Sequence, residues 1–426
     1  MKKKLHTIEL FAGCGGLLEG FLQQGDYDTL ACVEWEKAPC LTLANRLEQK
    51  WNHANANKEV IRFDIQRTDE LINGFEDEEY GKHEGLAKLI GNQTVDAIVG
   101  GPPCQAYSLA GRIRDEHGMK EDYRNYLFES YMRIVKYFKP KFFVFENVVG
   151  LLSAAPDGYP IVNRIRKEFM DAGYKVAENF RDTLFEVCDY GIPQHRKRVI
   201  IIGIRMDCFD VDKCVPDDMI HDFYNVIMPS FRKKQRTVFD AIGDLPKIYP
   251  LPKPIIQNGK KYSHAPICSE KVMNHVPRFH SARDISVFRM LEEDIRSGRK
   301  EYVSIEKLKE LYTKVTGKKS NIHKYYVLRN DEPSNTIPAH LYKDGMRHIH
   351  PDPEQARLVD DESLQFKEMF SILSDAGVEI YPIVKPKTDF SVRNFLQQIF
   401  PQVGLLLYPS KFKRQIFANQ GFRIGG

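Results

Sequence analysis

A cysteine on a stiff turn is the first feature of this chain that could do chemistry. Val95-Asp96-Ala97-Ile98-Val99 reads as a short buried strand and runs into Gly100-Gly101-Pro102-Pro103-Cys104-Gln105, which continues neither strand nor helix. Two glycines permit close approach of the backbone to a ligand, and two prolines restrict its freedom. The thiol therefore stands just past a strand end, where open α/β sheets place their sites, and it suits a nucleophile. A small apolar filler in a tight turn is the competing reading, and position alone does not choose between them. Three other groups sit at comparable places. Glu34-Trp35 closes a strand over residues 30–34 and joins an acid that can accept ribose hydroxyls to an indole face for adenine. Glu146-Asn147 follows the apolar strand 142–145 and falls at its carboxyl edge. Gln194-His195-Arg196-Lys197-Arg198 leads into a strand over 198–204, and alternation puts Arg196 and Arg198 on one face of an extended segment. Each has a plainer alternative in a surface acid, a core tryptophan or a basic strand end that reaches into water.

The elements that must position these groups alternate between strand and helix, which predicts an α/β fold. Residues 7–11 form the first strand, and Gly13 to Gly16 make a glycine turn into a helix that runs to about residue 24. The spacing is not the dinucleotide fingerprint, so the turn by itself reads as structural. A helix over 37–51 and a strand over 60–63 ending in Asp64-Ile65 follow. Residues 66–93, with the acidic run Glu76-Asp77-Glu78-Glu79, are long for a connection and read as a surface insertion with some helix and no function. Residues 106–124 carry Arg112, Arg114, Lys120 and Arg124 with Gly111 and Gly118, a hinged basic loop able to close over a substrate and grip phosphates. An amphipathic helix over 126–138 stops at Pro140, and strands over 174–182 and 198–204 complete the pattern.

Composition bounds the answer without deciding it. A chain of 426 residues with 42% hydrophobic content is long enough for two domains and a real core. Its 62 basic and 58 acidic side chains leave a formal charge of +4, compatible with local basic patches but not diagnostic of a polyanion partner. Eight scattered cysteines without Cys-x-x-Cys pairs argue for a reducing compartment and against structural zinc. No apolar run is long enough to span a membrane, and the basic start Met-Lys-Lys-Lys-Leu-His-Thr leads into a motif instead of a signal-peptide core. The expectation is a soluble cytoplasmic protein.

Taken together, Ile8-Glu9-Leu10-Phe11-Ala12-Gly13-Cys14-Gly15-Gly16, Pro102-Pro103-Cys104-Gln105, Glu146-Asn147-Val148 and Gln194-His195-Arg196-Lys197-Arg198 resemble the DNA cytosine-5 methyltransferase family. The likeness runs over residues 5–205 in the family's order, with a weaker echo over 325–357. It implies a Rossmann-like S-adenosylmethionine-dependent methyltransferase sheet over 1–205, a smaller loop-rich target-recognition region over 206–325 and a return to the catalytic core over 326–370. Cys104, Glu146, Arg196 and Arg198 are then the catalytic set. Phe11, Gly13, Gly15, Gly16, Glu34, Trp35, Asp64, Ile65, Pro102 and Leu127 are assigned to the cofactor, S-adenosylmethionine. Gln105, Ser108, Arg112, Asn147 and Thr336 are assigned to the substrate, double-stranded DNA. The resemblance further implies a monomer without metal or membrane attachment, specific to one short site as the modification half of a restriction system.

The likeness fails at the end. Residues 371–426 contain no Gly-Asn, the mark of the segment with which family members close their cofactor pocket, and Arg414 to Gly421 is no equivalent. Two other readings stand beside the first: an enzyme acting on transfer RNA, since one branch of the family resembles the DNA enzymes yet modifies that RNA, and, from the altered end, a degenerate homologue that binds nucleic acid with weakened cofactor affinity.

Overall fold

The computed structural model describes residues 4–103, 127–155, 158–208, 216–246, 248–257, 259–266, 279, 282–319, 325–337 and 347–351. Cys104, Gln105, Ser108, Arg112 and the tail 371–426 lie outside the described residues. Among the described residues the chain divides into two compact units, one holding residues up to 191 and 196–234 and the other 192–195 and those from 235 onward.

The first unit is built on an eight-stranded sheet. Its strands are β1 (Leu5–Leu10), β2 (Tyr27–Glu34), β3 (Val60–Arg62), β6 (Ala97–Gly100), β7 (Phe142–Val148), β8 (Tyr174–Lys175), β9 (Leu184–Glu186) and β10 (Lys197–Arg205). The order is β3-β2-β1-β6-β7-β10-β8, with β9 also paired to β10. The first five are mutually parallel and β10 runs antiparallel to β7. The order reverses between β1 and β6, so the carboxyl ends of β1, β2, β6 and β7 share the edge where such sheets bind ligands. Because β10 is antiparallel, its amino end, with Arg198 opposite Val148, meets that same edge.

Near-continuous apolar strands are what a sheet covered on both faces requires, and Ile8, Leu10, Ile98, Val99, Phe143, Phe145 and Ile201 are at most 1% exposed. Helix α1 (Gly16–Gln24) lays Leu17 and Phe21 into this core, and helix Leu127–Phe138 adds Tyr131, Ile134 and Val135. The fully buried Tyr131 hydroxyl lies 3.1 Å from the Ile98 carbonyl oxygen and 3.2 Å from that of Val144, so its proton is satisfied between β6 and β7. On the edge of β10 away from β7, no strand pairs with residues 200–202 between β9 and β8 among the described residues. There Tyr224, in a π-helical turn Phe223–Ile227, accepts from Ile202 N and donates to Ile200 O, both at 2.9 Å.

Three expectations change. Residues 66–93 are not a surface insertion: α4 (Thr68–Asn73), the hairpin β4 (Phe75–Asp77) and β5 (Gly81–His83), and α5 (Leu86–Ile90) bury Leu71, Phe75, Leu86 and Ile90 in the main core. The apolar residues there are spaced too irregularly to signal one long element. The strand expected over 174–182 ends at Lys175, because Asn179 Oδ1 accepts from Arg181 N at 3.0 Å and closes a turn. β7 in turn runs through Glu146 and Asn147 to Val148, since β10 pairs with it to the end.

In the second unit the described residues include the hairpin β11 (Ile248–Gln257) and β12 (Lys260–Pro266) and the helices Ala282–Arg296 and Ile305–Thr316. Ser304 caps the last helix by accepting from Lys307 N at 3.2 Å, and Gly317, with φ 70, ends it. Ile285, Phe288, Leu291, Leu308, Leu311 and Tyr325 make a core of their own. Segment 192–195 joins this unit through Ser334: His195 N donates to Ser334 O at 2.7 Å, and Ser334 N to Pro193 O at 3.0 Å.

Candidate active site

The glycine turn is held by acids from two neighbouring strands. Gly15 precedes α1 in a left-handed conformation, φ 84, and having no side chain it cannot cap the helix. Glu9 of β1 does so instead, its Oε1 accepting from Leu18 N at 3.2 Å. A side chain at Gly15 would also strike Leu43 of α2 (Lys37–Trp51). Glu9 is 2% exposed and its Oε2 has no partner; burial pushes its carboxyl well above the usual range, and the charge of Glu34 adds to this. Phe11, at the head of the turn, holds φ 56, a costly conformation for a bulky residue of the kind that collects at functional sites.

Glu34 reaches across from the end of β2. Its Oε2 accepts from Gly13 N at 2.7 Å, and its Oε1 accepts from Trp35 N at 2.9 Å and Glu36 N at 2.8 Å. Three of about four lone-pair positions on the carboxylate are thus taken, and the remaining one is on Oε2. Burial holds this acid above its ordinary pKa, the three N–H groups pulling the other way. Trp35 follows, 49% exposed. Gly16 begins α1, Asp64 Oδ1 accepts from Gln66 N at 3.0 Å, and Ile65 and Leu127 are each 6% exposed. An oriented acceptor, a half-exposed indole and a backbone turn with bare glycines fit a ribose, an adenine and the remainder of S-adenosylmethionine.

The other half of the edge carries the charged groups. Arg198 Nε lies 2.6 Å from Glu146 Oε1, with the two side chains 14% and 13% exposed. The second oxygen, Oε2, faces the turn: a Cβ on Gly101 would stand 2.8 Å from it. A side chain at Gly101 would therefore press on the carboxyl group of Glu146. Arg196 is 6% exposed and its Nε has no partner. Burial, and next the like charge of Arg198, push its guanidinium down to about 9, with Glu146 pulling it back up. It remains a cation at neutral pH with a donor to spare. Asn147 points to the opposite face of β7 and is 4% exposed; its Nδ2 donates to Pro102 O at 3.3 Å and its Oδ1 accepts from Val148 N at 2.8 Å, so it ties the turn to the strand. In the second unit, Thr336 is exposed and donates to His195 O at 2.6 Å.

The edge of the first unit thus brings together Phe11, Gly13, Gly15, Gly16, Glu34 and Trp35 at one end, and Pro102, Glu146, Arg196 and Arg198 at the other. Burial with nearby acids pushes the Cys40 and Cys188 thiols up to about 12, and burial raises Cys32 well above its usual range, so none of these is a ready thiolate. Sequence reading passed over Glu9 as an ordinary strand residue and passed over Tyr80, whose hydroxyl accepts from Trp35 Nε1 at 2.9 Å. The one signal for Glu9 was an acid inside an apolar strand; for Tyr80 there was none.

Comparison with known proteins identifies the family. A type II methyltransferase of Bacillus paralicheniformis, M.Bpa9945I, is 31% identical over 410 residues, covering 82% of this chain and 87% of the relative. M.DdeI of Desulfomicrobium norvegicum is 33% identical over 294 residues, covering 67% of this chain and 60% of its own length. A solved prophage-encoded E. coli structure, described as a candidate DNA modification methyltransferase, covers 95% of this chain and 97% of its own at a TM-score of 0.51 and 19% identity, and supports the fold. The sequence model of C-5 cytosine-specific DNA methylases matches residues 5–360. The chain therefore belongs to the C-5 cytosine-specific DNA methylase family, with S-adenosylmethionine as its methyl donor and cytosine C5 of DNA as the atom it methylates.

Proposed function

We propose that this enzyme methylates one cytosine of a short duplex DNA site, as the modification partner of a restriction system, with Cys104 as nucleophile. The observation that carries the reading is the Glu146 carboxyl group, clamped by Arg198 at 2.6 Å and with its second oxygen against the Gly101 turn that leads into Cys104. Cytosine C5 is a weak nucleophile until ring aromaticity is broken, and addition of the Cys104 thiolate to C6 does this. A proton from Glu146 at N3 offsets the charge that builds on the ring, while Arg196, with its spare Nε donor, fixes the base carbonyl oxygen. Removal of the C5 proton at the end of the reaction expels the thiolate and restores the ring. When bound, S-adenosylmethionine supplies an electrophilic methyl group; Phe11, Gly13, Gly15, Gly16, Glu34, Trp35, Asp64, Ile65, Pro102 and Leu127 would hold it. C6 is inaccessible inside a duplex, so the base is flipped out at a cost of a few kcal/mol, and the Arg112 loop stands in for it. Gln105, Ser108, Asn147 and Thr336 serve the substrate, and residues 206–325 read the site. Relatives bearing type II methyltransferase names support the restriction-system context. We expect a cytoplasmic monomer that needs no metal.

The test is a trap. Incubated with a duplex pool carrying 5-fluorocytosine and S-adenosylmethionine, the protein should form a denaturation-resistant adduct that Cys104→Ser loses. An adduct of equal yield from Cys104→Ser would overturn the assignment. Bisulfite sequencing of treated genomic DNA should return one short motif, and methylation confined to a transfer-RNA pool would redirect the substrate to RNA.

A further inference from the structure

Trp35 leaves the sheet half-exposed, yet its indole is held at the edge. Its Nε1 donates to Tyr80 Oη at 2.9 Å. Tyr80 closes the turn between β4 and β5, a hairpin that among the described residues pairs with itself and not with the eight-stranded sheet. That turn is fixed with care. Asp77 Oδ1 accepts from Glu79 N at 2.8 Å and Tyr80 N at 3.1 Å, and Arg67 holds Asp77 Oδ2 at 2.7 Å. Arg62, the last residue of β3, donates from Nε to Trp35 O at 3.3 Å and from its terminal nitrogens to Glu79 O at 2.8 Å and Glu79 Oε1 at 3.0 Å. Its guanidinium carbon sits 5.0 Å from the centre of the Tyr80 ring. Phe63 stacks on Phe75 at 3.8 Å and meets Tyr80 edge-on at 5.2 Å. Arg62 thus grips the backbone of Trp35 and the turn of the hairpin at once, while Tyr80 grips the indole.

We infer that Tyr80 is a positioning residue for the cofactor. It locks the plane of Trp35 before binding, so that the flat purine of S-adenosylmethionine meets a face already oriented, and hairpin 75–83 exists in this chain as the brace that brings the hydroxyl there. The inference rests on the reading that Trp35 stacks against the adenine. The physical argument is one of preorganisation: an indole at a strand end has two rotatable bonds, and stilling them during binding costs affinity that a hydrogen bond formed beforehand saves.

Tyr80→Phe keeps the ring against Arg62 and Phe63 and removes only the acceptor. It should raise the dissociation constant for S-adenosylmethionine, measured by calorimetry on the full chain, about three- to tenfold, the scale of one immobilised side chain or hydrogen bond. In steady-state transfer to unmethylated genomic DNA, KM for S-adenosylmethionine should rise by the same factor while kcat falls less than about twofold, since no group at the reacting atoms moves. The decisive arm is a double-mutant cycle. Trp35→Phe removes the donor from the other side, and in that background Tyr80→Phe should change the dissociation constant less than about 1.5-fold. Should Tyr80→Phe weaken binding equally in both backgrounds, or in neither while Trp35→Ala still weakens it, the brace is overturned and the stacking site survives. An unchanged dissociation constant in Trp35→Ala overturns the stacking reading itself, and the brace with it. A thermal melt of each variant within about 2 °C of the parent separates positioning from loss of fold.

Discussion

Glu34 and Glu146 are the same residue type near the carboxyl ends of two parallel strands of one sheet, and they are held by opposite means. Glu34 is surrounded by backbone, with three N–H donors between 2.7 and 2.9 Å. Glu146 is held by a side chain, the Arg198 guanidinium at 2.6 Å. Backbone donors are neutral and immobile: they aim a carboxyl group but offset its burial only in part, and the Glu34 pKa stays raised. Glu19 of α1 is the contrasting case inside the same unit. Burial pushes its pKa up as well, but hydrogen bonds and charge from Arg46 at 2.6 Å and Lys50 at 2.5 Å outweigh it, and the pKa falls to about 2. An acid framed by amides suits permanent recognition of neutral hydroxyls. An acid framed by cations suits either structure, as at Glu19, or chemistry on a group that gains charge, as proposed for Glu146.

The comparison breaks most visibly at Glu146. Glu146→Gln keeps the shape and an acceptor for Arg198, so S-adenosylmethionine and DNA binding should hold within a few-fold while methyl transfer falls about 10²- to 10³-fold, the cost of losing one stabilising donor. Equal losses in binding and transfer would sink the catalytic reading. Glu19→Gln should act on stability alone. With a folded pKa near 2 against an unfolded value near 4.5, the carboxylate contributes roughly 2 to 3 kcal/mol above the unfolded pKa, lost as pH falls through the folded one. Denaturant melts of parent and variant should therefore differ at neutral pH and converge on acidification; a constant gap would refute the ion-pair account.

Gly101→Ala tests the geometry between the turn and Glu146. Its Cβ would meet Glu146 Oε2 at 2.8 Å, so one group must shift, at about 1 to 3 kcal/mol for overpacking. Transfer should fall with little change in cofactor affinity, and unimpaired transfer would show that Oε2 need not stay beside the turn. The smallest effect belongs to Glu34→Gln, and it falls on binding where that at Glu146 falls on transfer. An amide nitrogen must displace an acceptor either from Gly13 N or from Trp35 N and Glu36 N, so S-adenosylmethionine affinity should weaken about tenfold with kcat little changed. Since burial raises the Glu34 pKa, the parent's affinity should begin to decline on acidification at a pH above the ordinary carboxylate range, whereas the variant's profile is flatter. Identical profiles would remove Glu34 from the site.

Much of this site could be read from local pattern. The glycine turn, the acid and indole closing β2, the Glu146-Asn147 pair and the alternating arginines were each identifiable because strand ends announce themselves by an apolar run that stops, and α/β sheets bind ligands there. The α/β class followed from the same alternation. Where local pattern misled, a partner distant in the chain was responsible. β7 runs past Phe145 because β10 pairs with Glu146 and Asn147, and residues 66–93 enter the core because Leu71, Phe75, Leu86 and Ile90 find the sheet.

What the sequence by itself determined is which residue types stand at the ends of which strands, since that needs only periodicity and turn chemistry. The tertiary structure alone decided how they are held. Strand order put Glu34 under Gly13, antiparallel register put Arg198 on Glu146, a glycine without a side chain left Leu18 N to be capped by Glu9, and a hairpin brought Tyr80 to an indole 45 residues earlier. Those are pairings across strands and between elements, and their energies depend on distances of a few tenths of an ångström that residue identity and spacing do not encode.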